Sequence, residues 1–443
     1  MSSLAMCPFD VLPDDILRAI FQLCCAEKDA NGIEYLCMLP LNAGFRPFQS
    51  TLTRVCQRWR NIVFDTHLLW SSIGLVGPDV EQTVLYLDLA LHQSGEAPLD
   101  ILAVACGWKT LTTLLAPNAH RLRTLSVRSI RDWTPIQPNG SLPALEHLEF
   151  RFFQAFDTFY ESISAAFANT PALRRITCSP TLAVHVTFPW TQIVELCIHP
   201  ESRFGSPIWI PAFAEKKCLF DIIAIAPLRL LICTDNVRSG FPAIIKPDIE
   251  VAQLPLGWLP HFTLPSLREY TICATQASET KAMLALIHRS GCTLTHLRIV
   301  NFNGTAANVK ALEDLLLALP HLEELDLHVP TRDECFSHWK LLQPLLKDKN
   351  IVPNLRAMRL RIKRIGRLVT FRNDDYVSLV MLSVFGGAQS VVDAGRKKLR
   401  FLELDFRDPG AICFKKAPSE AEIRERLVTS ADAARINLFM IYK

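Results

Sequence analysis

The sequence predicts an α/β fold: a short helical module near the amino end, followed by a long irregular array in which strands and helices alternate. Three observations carry this. Two amphipathic stretches lie close to the amino terminus, an apolar triplet recurs ten times from Leu122 onward, and proline stands at one fixed place before half of those triplets. With 443 residues, 49% of them hydrophobic and 21% charged, the chain can bury a sizeable core and hold a small module plus a repeat array.

The first amphipathic stretch runs from Leu12 to Phe21. Pro13 suits a first helical position, Asp14 and Asp15 favour the positive end of the helix dipole, and Ile16, Leu17, Ile20 and Phe21 fall at helical spacing. The second carries Leu52, Val55, Cys56, Trp59, Ile62 and Val63 as one stripe, with Arg54, Arg58 and Arg60 off it. Between them, residues 24–50 contain Gly32, Pro40, Gly44 and Pro47 and read as a loop inserted between two helices. Stripes this wide on helices this short must pack on each other and are expected to pack on a partner as well. Trp70 belongs to the core of this module, whereas Trp59 is expected to serve both core and partner.

After Trp70, Ser71 to Pro78 closes the module. Val80, Val84, Leu87 and Leu91 then predict a helix that stops at Ser94-Gly95. Pro98 to Ala105 reads as a strand and Trp108 to Leu115 as a helix.

The triplet Leu-x-x-Leu-x-Leu, with apolar substitutes, starts at Leu122, Leu145, Leu173, Ile193, Leu228, Leu267, Leu294, Leu322, Leu355 and Leu399. Pro143, Pro171, Pro265, Pro320 and Pro353 each precede a triplet by two residues, five cases where 28 prolines in 443 residues leave less than one to chance. Proline lacks a donor and stops a preceding helix, so each frame marks where a strand begins. Helical faces lie between frames: Phe156, Phe159, Ile163 and Phe167; Met283, Leu284 and Ile287 after Ser278 as cap; Val309, Leu312, Leu315, Leu316 and Leu319; and Val377, Val380, Met381 and Val384 after Asp374-Asp375.

Strand, turn, helix, strand resembles the unit of a leucine-rich-repeat solenoid. The intervals of 20 to 44 residues extend past the usual length of about 20 to 29. The polar ninth position typical of such repeats is kept only as Asn236, so the apolar stack is expected to hold the array. Glu201 to Cys218 and Asp235 to Phe262 read as long loops, Ser419 to Glu422 as a capping box, and Ile436 to Tyr442 as a last strand.

The short signatures of phosphate loops, dinucleotide folds, zinc proteases and serine hydrolases are absent, and Gly107-Trp108-Lys109-Thr110 keeps only the tail of a phosphate loop. His321, Glu323, Glu324, Asp326 and His328 crowd one frame, but strand alternation explains them as a solvated face. The same alternation selects a binding face from the residues between inward positions: Ser126, Arg128, Glu149, Arg151, Arg298, Asp326, His328, Arg359, Arg361, Lys363, Glu403 and Asp405. Arg356, Arg359, Arg361, Lys363, Arg364, Arg367 and Arg372 form a run without an acid, either a solvated basic edge or a grip for carboxylates or a phosphate.

A net charge of +3 and a pI near 8.2 are too mild to imply nucleic-acid binding. Fourteen cysteines without a Cys-x-x-Cys pair point to a reducing compartment. The first ten residues lack a secretory leader, and the apolar runs at Ile222–Cys233 and Val377–Phe385 are short for a membrane span. A soluble cytoplasmic or nuclear protein is expected.

Leu12-Pro13-x-x-Ile16-Leu17, the following Ile20-Phe21, and Val55-Cys56-x-x-Trp59-Arg60 with Leu69-Trp70 beyond resemble the F-box in its fungal form. The F-box docks substrate receptors onto the Skp-type adaptor of cullin-based ubiquitin ligases. The resemblance implies that residues 8–75 form an adaptor-binding module in which Leu12, Pro13, Ile16, Leu17, Ile20, Phe21, Leu52, Val55, Cys56, Trp59 and Ile62 make the docking surface. Residues 80–443 would then be a repeat domain that captures a protein substrate through Arg298, Asp326, His328, Arg359, Arg361, Lys363, Glu403 and Asp405. Such a chain is a non-catalytic receptor needing no cofactor or metal. The alternative from the same residues is a leucine-rich interaction scaffold that acts outside a ubiquitin ligase.

Overall fold

A computed structural model describes residues 11–25, 27–28, 34–35, 37–39, 48–76, 81–104, 112–113, 115–128, 141–151, 157–199, 213–234, 242–273, 276–302, 305–331, 351–364, 401–406 and 437–442. The protein is α/β, built from an all-parallel sheet alternating with helices behind a set of amino-terminal helices, the architecture of a leucine-rich-repeat-like solenoid. Two compact units divide the chain, Met1–Pro227 and Leu228–Lys443.

The first unit opens with α1 (Asp14–Cys25). The carbonyl of Pro13 accepts the Leu17 amide at 3.1 Å, so the proline caps the helix one position earlier than its sequence position suggested. Two short strands, β1 (Glu27–Lys28) and β2 (Glu34–Tyr35), pair antiparallel within the stretch expected as a loop, and β3 (Cys37–Leu39) follows. The second amphipathic stretch is not one helix. It is α2 (Phe48–Leu52), a turn, and α3 (Gln57–Asp65), because Cys56 takes an extended conformation and its Sγ accepts the Trp59 amide as an N-cap. Leu52 and Val55 therefore do not share a helix with Trp59.

After α4 (Leu68–Ser71), the segment expected to close the module is a strand, β4 (Ser72–Val76). Then come α5 (Glu81–Gln93) and β5 (Leu99–Val104), both anticipated. Gly95 at φ +52° follows α5 in the left-handed region that glycine tolerates. The rest of the unit comprises β6 (Leu122–Arg128), β7 (His147–Arg151), α6 (Asp157–Phe167), β8 (Arg175–Cys178), α7 (Pro180–His185), β9 (Glu195–Ile198) and α8 (Phe213–Ile225). Strands β3 through β9 pair parallel in sequence order.

The second unit contains β10 (Leu230–Cys233), β11 (Ile244–Ile245), β12 (Val251–Gln253), β13 (Phe262–Thr263) and β14 (Glu269–Cys273). Next are α9 (Ala277–Ser290), β15 (His296–Val300), α10 (Ala306–Leu317), β16 (Glu324–Thr331), β17 (Ala357–Arg364), β18 (Phe401–Phe406) and β19 (Asn437–Tyr442). Its main sheet is parallel in the order β10, β12, β14 through β19, with β11 and β13 as a separate pair. Gln276, not Ser278, caps α9: Glu279 Oε2 accepts the Gln276 amide at 3.0 Å, completing a capping box.

All ten triplets coincide with strands, and their described apolar positions are buried or nearly so. The proline framing has a sharper cause than helix termination. In every one of the five cases the leucine amide bonds back three residues, Leu145 to Leu142, Leu173 to Thr170, Leu267 to Leu264, Leu322 to Leu319 and Leu355 to Val352, at 3.1–3.2 Å. The proline thus occupies the second position of a β-turn, where its fixed φ is already correct. A second signature recurs at the starts of β8, β9, β12, β14, β15, β16 and β17: one carbonyl of the preceding repeat accepts two successive amides, as Glu146 does from Arg174 and Arg175, and Thr295 from Glu323 and Glu324.

One repeat was missed. Ile249, Ala252 and Leu254 form a triplet centred on β12, all buried, with Pro247 two residues ahead, inside the stretch expected as a loop. Alanine at the central position hid it. Helix α8 also begins inside a stretch read as loop. Residues 106–111, 201–212, 236 and 366–400, with the capping box at 419–422, lie outside the described residues, so the short helix at Trp108, the helix after Asp374-Asp375, Asn236, Arg367 and Arg372 are not described.

Candidate functional site

Two surfaces follow from the sequence, and they differ in kind. The first lies on the amino-terminal helices. Phe21 on α1 and Trp59 on α3 meet with ring centroids 4.8 Å apart. Arg58 bonds Asp14 at 2.6 Å and also the Leu12 carbonyl, so the ends of the motif are joined across the insertion. Trp70 is buried, as expected, and its Nε1 donates to the Val63 carbonyl at 2.9 Å.

The structure divides the eleven motif residues. Leu17, Phe21, Leu52 and Ile62 are buried and hold the module together. Ile16 (44% exposed) and Val55 (56%) stay open, as do Pro13 and Cys56, while Leu12, Ile20 and Trp59 are half-buried. Val11 and Leu23, which the motif did not include, add exposed apolar surface on and beside α1.

The second surface is the polar face of the sheet. In the first unit the register sets Ser72, Asp100, Thr124, His147, Arg175 and Glu195 in one row, and Ser126, Glu149, Thr177 and Cys197 in the next. Much of this face is buried. Glu149 is 0% exposed, accepts from Ser126 Oγ at 2.7 Å and Arg128 Nη2 at 3.0 Å, and is ion-paired with Arg151. Asp100 is held likewise by Arg123 and Ser72. Burial, with the Arg175 charge beside it, lowers the pKa of His147 to about 4. Burial raises the Cys197 thiol to about 11 and pushes Cys178 up as well, so these two are inert as thiolates.

In the second unit the corresponding face is open. Glu269, His296 and Glu324 share one row; Arg298, Asp326 and Arg359 the next; His328 and Arg361 the third. Arg298 lies 3.6 Å, His328 3.3 Å and Arg361 3.4 Å from Asp326. Burial pushes the Asp326 carboxyl up, but His328, Arg361 and Arg298 together outweigh it and hold the pKa below the ordinary value. Arg359 bonds Glu324 at 2.8 Å. Arg359 and Arg361 are therefore matched by carboxylates of β16 and are not a bare basic edge. Leu322, Leu325 and Leu327 are buried while the polar residues between them face the other way, the alternation expected for this frame.

By register Lys363 is opposite Pro330, Glu403 opposite Arg359 and Asp405 opposite Arg361; these three side chains lie outside the described residues. The rung residues that the sequence reading did not select, Glu269, His296 and Glu324, occupy the first strand position of their frames and follow the same alternation. Among the described residues no group of His, Cys, Asp and Glu is arranged to hold a metal ion, and no helix is long and apolar enough to cross a membrane.

No known protein family matches the chain, and no curated protein is detectably similar to it.

Proposed function

We propose that the chain is the substrate-recognition subunit of an SCF-type ubiquitin ligase. The helices of residues 8–75 dock on a Skp-type adaptor, which links to a cullin, and the repeat array holds a protein substrate. In this reading the chain catalyses nothing itself. It raises the local concentration of substrate and sets its orientation for partner enzymes.

The supporting observation is the division within the F-box-like motif. Four of its apolar residues close a small core, while Ile16 and Val55 remain uncovered on the outside, which is the arrangement a docking module needs. One feature favours the second reading, a scaffold outside a ligase: β3, within residues 8–75, pairs with β4, which ends one residue past them and pairs with β5, so the module also begins the sheet.

A pull-down with purified adaptor separates the two. Wild type should retain the adaptor, Ile16→Asp combined with Val55→Asp should lose it, and Leu85→Asp, exposed elsewhere on α5, should retain it. Absence of binding by wild type would end the ligase reading and leave the scaffold. Because the altered side chains are exposed, loss of binding in the double variant reports docking and not unfolding.

A further inference from the structure

We infer that the open sheet face over β14 to β17 takes a dipolar protein segment, with a basic side chain over Glu269 and Glu324 and an acidic one over Arg298, Arg359 and Arg361. The inference rests on the reading of this face as the substrate platform and names the chemistry of what it holds.

The register orders the charges along the strands. Two carboxylates flank His296 in the first row, and two guanidiniums flank Asp326 in the second. Arg361 stands beside His328 in the third. Alternate residues of a strand are about 6.6 Å apart, so the first and third rows are separated by about 13 Å.

A simple count of these charges would make the face nearly neutral, but exposure does not. The Asp326 side chain is only 13% exposed, beneath Arg298, His328 and Arg361, whereas Arg298 is 47% exposed. Glu269 and Glu324 are 52% and 35% exposed. Solvent therefore meets carboxylates at the strand starts and guanidiniums further along.

The existing pairs do not block a partner. The Arg359–Glu324 pair is half-exposed, and such pairs are weak and exchange readily; Arg298 and Arg361 share the single Asp326 carboxylate, and a guanidinium carries five donors, more than one carboxylate consumes. Its planar fork matches an incoming carboxylate. The carboxylates of the first row and the guanidiniums of the second and third are separated along the strands, which favours a segment lying along the strands over one lying across them.

The test is selection of a random displayed peptide library on the full chain. Enriched peptides should carry both a basic and an acidic residue. They should bind about tenfold more weakly to Arg298→Gln with Arg361→Gln, and separately to Glu269→Gln with Glu324→Gln, two weak pairs being lost in each case. Thermal midpoints close to wild type certify that both variants fold, and the two pairs test the two poles independently. Enrichment of uncharged or single-sign peptides, unchanged affinity in the variants, or no enrichment would overturn the inference. None of those outcomes touches adaptor binding, so the ligase reading stands or falls separately.

Discussion

The polar faces of the two units are built on the same register logic and reach opposite states. In the first, Ser126 and Glu149 are fully buried and the arginines of the next row fold down onto the carboxylate. Small neighbours on the same face, Ser72, Thr124 and Thr177, leave room for that. In the second, Glu269, His296, Arg298 and Glu324 carry long or ring-bearing side chains that remain half-exposed in pairs. A charge in a sheet ladder is thus structural when submerged and available to a partner when it stays at the surface. Residue type alone does not decide which.

The largest effect should come from the submerged carboxylate. Glu149→Ala leaves the Arg128 and Arg151 guanidiniums without their shared counter-charge in a buried place, and breaking one side of such a cluster costs about 3–5 kcal/mol. Urea denaturation measures it. A loss under about 1 kcal/mol would mean the first unit's face is as open as the second's.

Next comes His147. An unfolded imidazole takes up a proton near pH 6.5, whereas in the folded chain burial delays this to about pH 4. The unfolded state therefore binds the proton first, so the contribution is full above pH 6.5 and is lost as pH falls toward 4. The loss amounts to about 3 kcal/mol. His147→Asn should flatten that part of the stability profile. An unchanged profile would show that the imidazole is solvated and the face not closed.

How much of this was legible beforehand depends on which physical quantity carried the information. The ten framed strands were legible because alternation and, in five of them, the Pro-x-Leu turn are local signals. The frame at Ile249 was not, since Ala252 gives too little hydrophobic signal at the central position. The split of the second amphipathic stretch was hidden because Cys56 looks apolar in a pattern yet acts as a helix cap through its sulfur. In the F-box-like motif, the sequence marks apolar residues but not which side they face, so Leu17 and Ile16, adjacent in the chain, were grouped although one is buried and one exposed. The basic run of β17 looked unpaired for a related reason: Glu324 and Asp326 lie more than thirty residues away and meet it only through the sheet.

The smallest effect belongs to that pairing. Arg359 and Glu324 meet at 2.8 Å with about a third of each side chain exposed. A double-mutant cycle with Arg359→Gln and Glu324→Gln should give a coupling below about 1 kcal/mol. It should shrink further in high salt, because screening acts fully on charges at the surface. A coupling above about 2 kcal/mol that survives salt would place this pair in the same class as Glu149 and its arginines. The second unit's face would then be a structural ladder, and its arginines would be committed to holding β16 and β17 together before any partner arrives.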